Sequence, residues 1–217
     1  MPLEEMGAFF ARRLEGYDAH MLRDIAGAEE FYPAAAALLP AFPGCRILDL
    51  GCGTGLELEF YFPGNPAARV TGIDLSREML DALKRKFPDR DLDLRLGSYL
   101  HLPLGDAEYD AAISVESLHH FAPNVKLGFY RRLLAALKPG GCFILADYFA
   151  GSPAEEAAFF RELEAQKRHD GLADGVLVHF DTPLTPEHEL ALLREAGFSS
   201  AERVGMWEAT SLIRASR

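Results

Sequence analysis

Residues 46–60, RILDLGCGTGLELEF, constrain the fold more than any other stretch of the chain. The run from Cys45 to Leu50 is apolar nearly throughout and carries Asp49 near its end. Gly51, Gly53 and Gly55 then come at every second position before a helical pattern from Leu56 to Phe62. A strand that is apolar on both faces is one covered on both faces, as in a parallel sheet. Glycines in the turn after it permit positive φ and let the backbone touch a ligand with no Cβ in the way. The helix start beyond offers unpaired N–H groups to an anion such as a carboxylate.

The alternation continues downstream. β-rich runs at Arg69 to Asp74, Leu92 to Ser98, Tyr109 to Val115 and Gly141 to Tyr148 are separated by helical stretches at Ser76 to Phe87 and Asn124 to Leu137. Ser76 supplies an N-cap ahead of an apolar stripe of Met79, Leu80 and Leu83, and LKPGG is expected to stop the later helix. Strand and helix in alternation predict an α/β fold with a doubly wound, mostly parallel sheet. Near the end, Thr185, Pro186 and Glu187 open a helix that runs through PEHELALLREA to Gly197. The last twenty residues read as two strands joined through Gly205 and Met206, so the sheet is expected to have seven strands and to finish in an antiparallel hairpin, with helices on both faces.

One domain accommodates all 217 residues. Its expected parts are an N-terminal helical cap (1–40), a ligand-binding core (45–150), a helical insert (151–184), and the last helix with the hairpin (185–217). In the cap, Phe9, Phe10, Leu14, Met21, Leu22 and Ile25 are candidate inward positions, with breaks at Gly16 and Gly27. The insert opens with a capping box, Ser152 to Glu155, around Pro153. In an open α/β sheet the ligand crevice lies beyond the carboxyl ends of the strands, where cap and insert would form a roof.

Asp74 ends the second strand, where a carboxylate accepts both hydroxyl protons of a ribose and repels a 2′-phosphate; the competing role, a helix cap, is already filled by Ser76. A dinucleotide fingerprint begun at Gly51 meets Leu56 where its third small residue belongs, which makes NAD the second choice. With 22 Lys plus Arg against 33 Asp plus Glu, the net charge of -11 disfavours nucleic acid. Three distant cysteines, Cys45, Cys52 and Cys142, form no CxxC pair, so neither a disulfide framework nor a metal knuckle is expected. FYPAAAALLPAF is short and broken by prolines, which argues against a membrane span, and the acidic start MPLEEMGAFFARR lacks the basic segment of a secretory signal, so a cytoplasmic location is expected.

In LDLGCGTG, GIDLS, GSYLHLPL, YDAAISVESLHHF and LLAALKPGGCFILADY, taken in that order, the chain resembles the class I S-adenosylmethionine-dependent methyltransferases from Arg46 to its end. The resemblance implies a Rossmann-like fold with that family's terminal hairpin, and S-adenosylmethionine as cofactor with S-adenosylhomocysteine as product. It implies that Asp49 and the backbone at Gly51 and Gly53 hold the methionine end, that Asp74 takes the ribose, and that Leu75 and Met79 flank the adenine. The family commonly has Asp after the third-strand glycine to bind the adenine amino group. Here Ser98 follows Gly97, and Ser98 with Tyr99 is the expected substitute. Val115 and Glu116 would stand near the sulfur and the amino-acid end, with Glu116 either facing a cation or solvated in its loop.

The expected activity is methyl transfer to an N, O, S or C atom of a small molecule. His119 is the first choice for a base toward an alcohol or carbon acid, and Tyr17 is a second catalytic candidate; His20 and His179 are weaker. His119 and His120 share one turn, so they are expected to face different ways. Phe9, Phe10, Phe159, Phe160 and Phe180 either line an enclosed acceptor pocket or pack the added helices onto the sheet. The alternatives are an NAD-dependent oxidoreductase, a tRNA or protein methyltransferase, and a binding protein without turnover. Nothing in the sequence specifies an oligomeric state.

Overall fold

The apolar runs read from the sequence become the strands of one sheet in a computed structural model that describes residues 3–172 and 176–217. Met1 and Pro2 of the acidic start and residues 173–175 of the insert lie outside the described residues. The strands are β1 (Arg46–Leu50), β2 (Arg69–Asp74), β3 (Asp91–Leu96), β4 (Tyr109–Val115), β5 (Leu137–Tyr148), β6 (Ser200–Trp207) and β7 (Thr210–Ser216), in the order β3-β2-β1-β4-β5-β7-β6. β1 to β5 pair in parallel, whereas β7 pairs antiparallel with both β5 and β6. The order reverses beside β1, so the crevice opens between the ends of β1 and β4.

Eight helices are described: α1 (Met6–Arg12), α2 (Tyr17–Asp24), α3 (Ala28–Ala37), α4 (Leu56–Tyr61), α5 (Arg77–Lys86), α6 (Pro123–Ala136), α7 (Pro153–Asp170) and α8 (Pro186–Ala196). Ile47 on β1 packs with Phe31, Ala35 and Leu58 on the α3 and α4 side, while its neighbours Leu48 and Leu50 pack with Tyr130, Leu133 and Leu193 on the α6 and α8 side. This alternation puts a hydrophobic core on each face of the sheet. Pro33 lies inside α3 rather than breaking it: the one backbone donor it lacks is outweighed by the burial of Phe31, Tyr32, Ala35 and Ala36. Among the described residues no helix is long and apolar enough to cross a membrane.

α6 and α8 are also joined by charge. The Lys126 ammonium donates to Glu189 Oε2 at 2.6 Å, and Tyr130 donates to Oε1 of the same carboxylate; Lys126 and Glu189 are both buried. The capping expectations hold, since Ser76, Ser152 and Thr185 each accept an N–H from the first turn of their helix and Gly197 ends α8 in the left-handed region.

Two boundaries differ from expectation by three residues or more. β5 begins at Leu137 rather than Gly141, because Leu137 leaves α6 in an extended conformation and pairs with Tyr109. LKPGG is therefore the start of a strand as well as the end of a helix. The hairpin turns at Glu208 and Ala209, not at Gly205 and Met206. Gly205 lies inside β6 at a shift of register, where a Cβ would stand 2.6 Å from the Trp207 ring, so the glycine makes room for the indole rather than a turn.

The cap and the insert are sewn together. Glu5 bridges Val178, Met6 N–H donates to Leu177 O at 3.1 Å, and His179 N–H donates to Glu4 O at 3.0 Å. The strap so formed lays α1 across the crevice, with Phe9 stacked on His179 at 3.5 Å between ring centroids.

Candidate functional site

The glycine turn needs its glycines for three separate reasons. Gly51 has φ +71°, and a Cβ there would fall 2.2 Å from Ser117 Oγ, so only glycine lets the loop after β4 come this close. Gly53, at φ +47°, faces Tyr17 with space between. Gly55, at φ +71°, is pressed against Leu83 of α5. The turn does not hold out its N–H groups, however. Gly51 donates to Ile73 O at 2.9 Å and Gly53 donates to Asp74 Oδ2 at 2.9 Å. The turn supplies bare backbone and shape, and fewer donors than expected.

Asp74 is the hinge of this arrangement. Its Oδ2 accepts Gly53 N–H and its Oδ1 accepts Ser76 N–H at 2.8 Å, and the Leu75 backbone N–H also acts on the carboxylate, which still keeps acceptor capacity. Burial raises its pKa against the lowering effect of those backbone donors. Gly51, Gly53, Asp74, Leu75, Met79, Ser98, Tyr99, Val115 and Glu116 all line one narrow cleft. Met6, Phe10 and Tyr17 close it from the strap side.

Asp49 is not on this wall. It is buried behind the glycine turn against Glu57 of α4, and Asp49 Oδ2 and Glu57 Oε1 have no hydrogen-bond partner among the described residues. Burial raises the pKa of both, and the nearby Glu57 raises that of Asp49 further. Tyr99 contributes its ring to the cleft but not its hydroxyl, which lies 2.9 Å from Ser117 Oγ. Ser98 accepts Leu100 N–H at 3.2 Å and keeps its own proton to donate.

A second, wider pocket adjoins the cleft and shares Phe10, Tyr17, Glu116 and His120 with it. Phe9, Met21, Ile25 and Tyr148 form its apolar walls. Its polar end begins at Glu116, a non-glycine residue at φ +49°, whose Oε1 accepts the Thr210 hydroxyl at 3.1 Å. Burial, with Asp147 beside it, lifts the Glu116 pKa to about 7.

His119 and His120 both turn toward Asp181, contrary to the expectation that they diverge. A single 3-10 turn, Leu118–His120, is held by Thr182 N–H donating to His119 O at 2.7 Å, and the two rings lie 4.0 Å apart. His119 Nδ1 is 2.5 Å from Asp147 Oδ1 at the end of β5. Burial disfavours the charged ring, but Asp147 first, then Asp181 and Glu116, lift its pKa to about 10. His120 is lowered by burial and by that neighbouring charge. His179 is pushed down to about 4 by burial and by His120, and exposed His20 pairs with Asp24 at the rim. No residue of α7 lines either pocket; the insert contributes His179 and Asp181 from the loop after it.

Residues 47–141 match the description of a methyltransferase domain family. The fold resembles that of human N-acetylserotonin methyltransferase, solved in complex with SAM, at a TM-score of 0.66, with 19% identity, over 97% of this chain and 56% of that one.

The fold is that of the class I S-adenosylmethionine-dependent methyltransferases.

A second solved structure, the DhpI–SAH complex, matches at a TM-score of 0.70 and 21% identity over 97% of this chain and 93% of that chain. Among curated relatives, the O-methyltransferase cnsE of Penicillium expansum is 30% identical over 71% of this chain and 52% of its own length. The chain spans about half the length of the first curated relatives it matches. On this methyltransferase fold the sequence pointed to Asp49 and Asp74 as strand-end acids. The same signal marked Asp147, which closes the apolar run of β5 and was missed. Asp181 and Ser117 sit in loops with no local pattern to mark them.

Proposed function

We propose that the chain binds S-adenosylmethionine in the narrower cleft and transfers its methyl group to a small molecule held in the wider pocket. The observation that carries this reading is the convergence of the glycine turn, Asp74, Leu75, Met79 and Ser98 on one cleft that opens at Glu116 into a second. The residues fit the cofactor. Asp74 retains acceptor capacity for ribose hydroxyls, Leu75 and Met79 offer apolar surface to the adenine, and the Ser98 hydroxyl has a proton for a ring nitrogen. The Glu116 carboxylate lines the cleft at the end meant for an ammonium and a sulfonium, whereas Asp49, buried behind the turn with its pKa raised, backs the turn and does not reach the cleft. When bound, the cofactor supplies an electrophilic methyl group on a positively charged sulfur.

The chain's own contribution is alignment and the exclusion of water. Phe10 and Tyr17 stand between the two spaces, and Phe9, Met21 and Tyr148 give the acceptor an apolar bed. Asp147 holds His119 Nδ1, which turns Nε2 toward the acceptor. His119 is protonated at neutral pH, so it takes a proton from an acceptor hydroxyl only after releasing its own, and that reaction quickens as pH rises toward 10. The likeness to an O-methyltransferase supports an oxygen acceptor. The net charge of -11 supports a small molecule over a nucleic acid.

Calorimetric titration with S-adenosylmethionine, S-adenosylhomocysteine and NADH tests the reading. The first two are expected to bind at one site per chain and NADH is not; the reverse result overturns it. A methyl-labelled donor incubated with metabolite pools then identifies the acceptor by the product that gains label.

A further inference from the structure

We propose that His119, His120 and Asp181 form a site for a divalent first-row transition ion at the junction of the two pockets. Three side chains converge there, each offering one donor atom, and these atoms lie within 4.8 Å of one another. Asp181 Oδ1 lies 3.5 Å from His119 Nε2 and 3.3 Å from His120 Nδ1. Those separations are long for charge-assisted hydrogen bonds, which run about 2.7–2.9 Å. They match the edge of a coordination polyhedron, because two ligands at about 2.1 Å from an ion and about 109° apart stand about 3.4 Å from each other.

The contrast within one ring sharpens the argument. His119 makes a tight contact to Asp147 through Nδ1, at 2.5 Å, and a loose one to Asp181 through Nε2. A carboxylate on the far nitrogen fixes the ring and its tautomer, and that is the usual support behind a metal-bound histidine. Asp147 is itself anchored, since its Oδ2 accepts Leu118 N–H at 2.9 Å. His120 Nδ1 also lies 3.2 Å from the Phe180 carbonyl, a contact that the ion replaces or that brings in the carbonyl as a fourth ligand.

Two imidazoles and a carboxylate suit zinc, manganese, iron, cobalt or nickel better than magnesium or calcium. Three ligands from the chain leave positions open toward the wider pocket, which His119, His120 and Asp181 all line. On the methyl-transfer reading, on which this role rests, an acceptor hydroxyl or carbonyl oxygen fills an open position and is held and polarised beside the cleft. The ion takes the place that a proton occupies on His119 Nε2, so in the ion-bound protein His119 is a ligand and not the base toward the acceptor.

The test uses the full chain, stripped with a chelator, dialysed and titrated with cobalt(II) chloride, followed by calorimetry and by visible d–d absorption. One equivalent is expected to bind with a tetrahedral or five-coordinate spectrum. D181N and H120Q are each expected to weaken binding at least about tenfold and to alter the spectrum. Asp181 is a half-exposed loop residue, so D181N serves even where H120Q fails to fold, and circular dichroism distinguishes the two cases. No cobalt binding by the unmodified chain, or the same affinity in folded D181N, overturns the site. S-adenosylmethionine is titrated in parallel. Cofactor binding without cobalt binding removes the ion site alone, and cobalt binding without cofactor binding removes the methyl-transfer reading alone.

Discussion

On the proposed cofactor site Asp74 serves the chain and its ligand at once, so replacing it separates two effects that can be measured independently. In Asp74→Ala, Gly53 N–H and Ser76 N–H both lose the carboxylate that now accepts them at 2.9 and 2.8 Å. The ribose loses two acceptors as well. A hydrogen bond to a charged group contributes about 1.5–3 kcal/mol, so two ribose bonds at the low end come to about 3 kcal/mol, or about a hundredfold in affinity. Asp74→Asn keeps the shape and one acceptor oxygen, but its amide NH2 has to face one of the two backbone donors. It is expected to lose about tenfold in affinity, and to lose stability by about 1–3 kcal/mol for the unpaired donor. The affinity order Asp, Asn, Ala is read by calorimetric titration with S-adenosylhomocysteine, and stability by urea unfolding of the same samples. The pKa of Asp74 is raised by burial, and a protonated carboxyl is the poorer acceptor. Wild-type affinity therefore declines as pH falls through that raised value, in milder acid than an exposed aspartate would require. A folded Asp74→Ala protein that binds within about threefold of wild type would refute the ribose assignment and the reasoning built on it.

Two further outcomes concern buried charge. Lys126→Met leaves Glu189 buried with only the Tyr130 hydroxyl, and it is expected to cost about 3–5 kcal/mol in urea unfolding; a loss below about 1 kcal/mol would show that the pair is not what joins α6 to α8. His119, with a folded pKa of about 10 against 6.5 for a free histidine, gives stability that is fully present below 6.5 and is lost as pH rises through 10. The urea midpoint of the wild type is expected to fall across that window and that of His119→Gln to stay flatter, so parallel curves would remove the Asp147 partnership.

What the sequence revealed was whatever folds by short-range rules. The run from Cys45 to Gly55, the cap at Ser76 and the acid at Asp74 are each legible within a few residues, and the structure places the turn and the acid together on one cleft. Asp49 was legible as a strand-end acid but not as a buried one, because its position depends on Glu57 arriving from α4. The divergence expected of His119 and His120 follows from strand and helix geometry, and it fails in a 3-10 turn pinned by Thr182, more than sixty residues away along the chain. Gly205 carried a real signal with the wrong cause. A glycine before a polar step looks like a hairpin turn, and only the packed position of Trp207 shows that it is clearance for a ring. Asp181 had no signal at all, since its significance comes from two histidines that the fold brings to it.

The strap between residues 4–6 and 177–179 makes the two ends of the roof a single mechanical piece. Phe10 of α1 and Asp181 of the distant loop cannot be displaced independently, because the rungs between them would have to break first. Grafting a different opening segment onto this scaffold would therefore leave its clasp unmatched on the other side. On the methyl-transfer reading, a change of acceptor preference would require the two segments to be exchanged as a pair.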